Sequence, residues 1–117
     1  MIKMNAPRIV LERWATMESF YNGKEDLRDY VHQKSGVLVE RYLPAMPETS
    51  RDIFYRLALC RFMDVCHEDG KPREEEDIEK NKLRLFGRVQ KELVEALRKI
   101  ARENEKAKNT DLGDKLQ

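Results

Sequence analysis

Apolar residues recur along this chain every three or four positions rather than every two, the spacing of helices that pack by one face. Ile9, Val10, Trp14, Met17, Phe20 and Tyr21 keep that spacing after Pro7, whose missing N–H suits a first helical position. Asn22-Gly23 then supplies a stop, because glycine accepts the left-handed turn that closes a helix. A short second helix is predicted from about Lys24 to Gln33, offering Leu27, Tyr30 and Val31 to the core. Val37-Leu38-Val39 has strand propensity, but one short strand has nothing to pair with. A helix started after Ser35-Gly36 and ended before Pro44 is predicted there, followed by a stiff loop over Pro44-Ala45-Met46-Pro47.

A further helix is predicted to open at Thr49, where Thr49-Ser50-Arg51-Asp52 resembles a capping box with Asp in place of Glu. To about His67 it is apolar on nearly every side, through Ile53, Phe54, Leu57, Ala58, Leu59, Cys60, Phe62, Met63, Val65 and Cys66. A helix apolar all round is a buried one. After Glu68-Asp69-Gly70-Lys71-Pro72 turns the chain, a long helix is predicted as far as Lys108. At about 100° per residue, Ile78, Leu85, Phe86, Val89, Leu93, Ala96, Leu97, Ile100 and Ala107 fall on one arc. Arg84, Arg88, Lys91, Arg98, Lys99, Arg102 and Lys106 fall on the opposite arc, interrupted chiefly by Glu95.

The expected fold is therefore all-α: a compact bundle of four to five helices with a central buried helix and a long amphipathic C-terminal helix. Residues 1–108 are expected to form a single helical domain, and the polar, glycine-containing segment 109–117 a flexible tail.

Composition changes this picture little, whereas charge order changes it more. Charged residues make up 38% of the chain, yet 23 cations and 22 anions leave a net charge of +1. Residues 1–46 carry +1, residues 47–79 carry −5 and residues 80–117 carry +5. Part of that asymmetry is Glu74-Glu75-Glu76-Asp77, acids placed where they complement the dipole of the helix that follows. With 117 residues the chain can bury a core but has little room for a deep substrate cleft. No apolar run of membrane-spanning length occurs, and Met1-Ile2-Lys3-Met4-Asn5 lacks the apolar stretch of a secretory signal. A cytoplasmic location without membrane contact is the default expectation.

Catalytic and metal chemistry find little footing. Cys60 and Cys66 lie on different faces of one helix, so a disulfide between them is geometrically disfavoured. His32, Cys60, Cys66 and His67 lack the close pairing of structural zinc ligands, and no metal or small-molecule cofactor is expected. Phosphate-binding glycine loops and nucleophile-elbow motifs are absent from the sequence.

The segment Arg61-Phe62-Met63-Asp64-Val65-Cys66-His67 resembles the Arg, four-to-six residues, His pattern of HEPN ribonucleases. Those are small all-helical domains that cleave RNA without metal at a dimer interface. The resemblance implies His67 as acid/base and Arg61 as phosphate stabiliser, over seven residues, with Phe62 where the family commonly has a polar residue.

Two surfaces of the long helix carry the functional expectations. The leading one is a non-enzymatic interaction module, an adaptor or regulatory subunit. It would dock on a protein partner or form a homodimer through Phe86, Val89, Leu93, Leu97 and Ile100. The alternative is a small nucleic-acid-binding protein using Arg84, Arg88, Lys91, Arg98, Lys99, Arg102 and Lys106, because each phosphate neutralised releases counterions. The HEPN-like ribonuclease stands third.

Overall fold

The computed structural model describes residues 12–68 and 73–116, with side chains as far as Lys106. The expected helix start at Pro7 and most of the turn into the long helix lie outside the described residues. Four helices are present among the described residues: α1 (Trp14–Tyr21), α2 (Glu25–Tyr42), α3 (Glu48–Cys66) and α4 (Glu75–Leu116). The fold is all-helical, as the periodicity predicts.

Helix α1 stops at the expected place. Gly23 takes φ +78°, the left-handed conformation that glycine tolerates best. Met17 and Tyr21 are buried, and the Tyr21 hydroxyl donates to the Leu59 carbonyl at 2.8 Å, pinning α1 to α3.

Helix α2 departs from expectation by running unbroken through Ser35-Gly36, merging the predicted second helix with the ambiguous Val37–Leu43 segment. Two local facts explain the continuity. The buried Ser35 hydroxyl donates to the Val31 carbonyl one turn back, at 2.7 Å, so it needs no break in the backbone to be satisfied. Gly36 faces α3, where a Cβ would stand 3.3 Å from the Tyr55 hydroxyl oxygen, so glycine serves close packing there rather than termination. The helix ends before Pro44, with the Leu43 N–H donating to the Val39 carbonyl at 2.8 Å.

Helix α3 begins at Glu48, one residue earlier than predicted, after Pro47 in an extended conformation and without a side-chain cap. The expected capping box at Thr49 is therefore not formed, since Thr49 already lies inside the helix. Arg51 anchors the preceding loop instead. Its Nε and Nη2 donate to the carbonyls of Met46 and Pro44, and Nη1 to the Glu40 carboxylate at 2.8 Å. Phe54, Ala58, Leu59, Cys60, Phe62, Met63 and Cys66 are buried. Packed against α1, α2 and α4, α3 is the central element that its all-round apolar surface predicts.

Helix α4 covers α2 and α3. It runs parallel to α2 (Tyr30 meets Phe86, and Tyr42 meets Arg98) and antiparallel to α3 (Glu68 meets Arg88, and Arg61 meets Glu92). Its backbone does not leave the helix at Lys108. It continues to Leu116, through residues expected as a tail. At 1.5 Å per residue its 42 residues span about 63 Å, which matches the 60 Å long axis of the molecule. Helix α3, with 19 residues, covers less than half of that length.

Gly87 lies within α4 where a Cβ would have nothing within 4 Å, so neither close packing nor a left-handed backbone requires it. Gly87→Ala is expected to stabilise the protein by about 0.5–1 kcal/mol. A higher urea midpoint would bear this out; a lower one would mean that the bare backbone at this position is needed.

Candidate nucleic-acid interface

The two arcs of α4 have opposite fates. Phe86, Val89, Leu93 and Leu97 are buried in the chain's own core, and Ile100 is half-buried against it. The expected docking stripe is thus already covered by α2 and α3. An apolar arc on a long helix satisfies its own bundle first, and a partner could reach these side chains only by displacing that packing. Arg84, Arg88, Lys91, Arg98, Lys99, Arg102 and Lys106 are all exposed.

The basic face has two unlike borders. Toward α3 it is knitted into ion pairs. Arg88 makes a two-pronged contact with Glu68, which holds that carboxyl below the usual range, and Arg61 reaches Glu92 at 4.0 Å. Glu95 sits among the cations, and with Lys99 it edges a shallow depression against Leu57 and Arg61.

Toward α2 the face widens instead. Lys34 of α2 and Lys82 of α4 lie 5.7 and 5.3 Å from the Tyr30 ring centre. Arg41 of α2 and Arg98 of α4 each lie 5.7 Å from that of Tyr42. Cations favour aromatic faces because the ring quadrupole is negative there. Lys34 and Arg41 were absent from the stripe read on one helix, because they approach it only through tertiary packing; Lys82, on α4 itself, lies about 160° around that helix from Arg98, off the basic arc. The juxtaposed Arg41-Tyr42 and the Tyr30…Lys34 spacing were the faint sequence signals.

A separate depression lies between α1, α2 and α3. It is a groove of about 350 Å³ with Met17, Tyr21 and Leu59 among its apolar lining residues. Its polar residues carry both signs, with Arg28 and Arg56 facing Glu18, Glu25 and Asp52. Arg56 sits 4.4 Å over the Trp14 ring centre and pairs with Asp52 at 3.1 Å. His32, also lining the groove, is tilted against Tyr55, and burial with Arg28 nearby lowers its pKa, leaving it neutral at pH 7.

The residues resembling a HEPN motif are not brought together. Arg61 faces Glu92 on α4, while the His67 ring lies tilted against Phe20 of α1 at 5.3 Å between centres and donates from Nδ1 to the Met63 carbonyl. Six residues of straight helix separate them in direction by about 120°. Cys60 and Cys66 are free and buried, and burial raises both thiols, Cys66 to about 11, so both are protonated near neutral pH. No group of three or more His, Cys, Asp or Glu among the described residues could hold a metal ion. No described helix is long and apolar enough to cross a membrane. No protein-family model, curated protein or solved structure matches this chain.

Proposed function

We propose that the protein is a non-enzymatic module that binds nucleic acid through the basic face of α4. The observation that carries this reading is the division of α4 itself. Its apolar arc is consumed inside the bundle, so the surface it presents outward carries seven exposed cations from Arg84 to Lys106, with Glu95 among them. That row spans about 33 Å at 1.5 Å per residue, enough to follow several phosphates along a backbone. An electrophoretic mobility shift with single- and double-stranded DNA and RNA tests it. Micromolar binding that inorganic polyphosphate competes away is expected; no shift with any of the four would overturn it.

The length of α4 beyond α3 favours a second reading, an adaptor that docks on a protein partner or on a second copy through that extension. Sedimentation velocity separates the two. A stable dimer that binds no nucleic acid would favour the adaptor.

A further inference from the structure

The seam between α2 and α4 combines three features that a row of phosphates alone does not require. Cations from both helices meet there, around Tyr30 and Tyr42. Both tyrosines are only half-buried, with Tyr30 resting edge-on against Phe86. The exposed large hydrophobics among the described residues, Val37 at 59% and Leu83 at 71%, belong to the same two helices. Val37 lies about 20° from Tyr30 around α2, and Leu83 falls between Phe86 and Arg98 around α4, so both flank the seam. The two tyrosines are 12 residues apart on α2, about 18 Å along it and about 120° around it, and each is reached by a different cation of α4, Lys82 at Tyr30 and Arg98 at Tyr42.

Resting on the nucleic-acid reading above, we propose that this seam is a track for single-stranded nucleic acid, its backbone drawn to Lys34, Arg41, Lys82 and Arg98 and its bases laid on Tyr30, Tyr42, Val37 and Leu83. Aromatic and apolar surface set among cations suits unstacked bases, each of which offers a face to cover, whereas a duplex keeps its bases stacked inside. Charge complementarity selects a polyanion, and the exposed apolar surface selects one with accessible bases. The α3 border pairs its cations with acids across helices, whereas at the seam Lys82 pairs within α4, with Glu79 at 3.1 Å.

Fluorescence anisotropy tests this with a labelled single strand, the duplex of the same sequence and an abasic strand, each as RNA or DNA where it can be made. The single strand is expected to bind about tenfold more tightly than either of the others. Lys34→Glu and Arg41→Glu are each expected to weaken it about fivefold or more, while Arg28→Glu, the same charge change on another face of α2, leaves it within twofold. Leu83→Ser, at an exposed position, is expected to weaken the single strand severalfold and leave the abasic strand unchanged. Equal affinity for all three polymers, with Lys34→Glu no worse than Arg28→Glu, would overturn the seam while leaving the α4 face standing. Binding of none of them would remove both. A dimer that Leu83→Ser dissociates would show the seam to be covered by a second copy instead.

Discussion

Leu93→Asp is expected to unfold the protein rather than detach it from a partner. Leu93 is 2% exposed, in the middle of the face that α4 turns to the core. Truncating a core leucine costs about 2–5 kcal/mol through lost burial and the cavity left behind. Aspartate adds a carboxylate with no partner in an apolar setting, a further cost of several kcal/mol even if it takes up a proton. Together these approach the roughly 5–15 kcal/mol that holds a typical domain folded. Val89→Asp, at a fully buried position, is expected to behave alike. Far-UV circular dichroism and urea denaturation read the outcome, expected as loss of helical signal or a collapsed midpoint. A folded variant with an unchanged midpoint and an altered oligomeric state would instead identify the apolar arc as an interface.

The second large effect is expected on binding, not on folding. Arg84, Lys91 and Arg102 fall within about 20° of one line along α4, and all three are exposed. Reversing them together, as Arg84→Glu, Lys91→Glu and Arg102→Glu, removes three phosphate contacts and sets three repulsions in their place. Each contact contributes about 0.9 to the dependence of log affinity on log salt for duplex DNA, and about 0.7 for single strands. Affinity for nucleic acid is expected to fall by at least about a hundredfold at 100 mM salt, with the thermal midpoint shifted by a few degrees at most, as exposed charges contribute little to stability. Unchanged affinity in the triple variant would move the interface off this face.

Much of the fold was legible because its signals are periodic. The all-round apolar surface of Ile53–Cys66 placed α3 at the centre, and the two arcs of α4 separated cleanly around the helix. Gly23 ended α1 because a left-handed turn is a property of a single residue. Gly36 misled because glycine has two uses. Whether it ends a helix or admits a neighbour depended on Tyr55, which no local pattern could bring beside it. Thr49 misled in a similar way, since the short side chain that caps helices also fits inside one once Pro47 has set the preceding backbone.

The candidate site was legible only in part. A helical wheel separates an apolar arc from a basic one, but it cannot tell whether the apolar arc faces a partner or its own bundle. Here the bundle takes it, which turns the leading expectation from the apolar side of α4 to the basic one. Lys34 and Arg41 joined the cationic surface only when α2 packed parallel to α4, a consequence of two successive antiparallel turns. The Arg61…His67 spacing was visible in sequence, but Glu92 and Phe20, which draw those side chains apart, were not.

The central claim is that the basic face of α4 engages a nucleic-acid backbone, and its salt dependence tests that most directly. Anisotropy of a labelled strand titrated with the unaltered protein at about 50 and 200 mM salt gives the slope. Four to six phosphate contacts predict a weakening of very roughly 50- to 2,000-fold across that range. Binding that is absent at the lower salt, or present and indifferent to the change, would contradict the account.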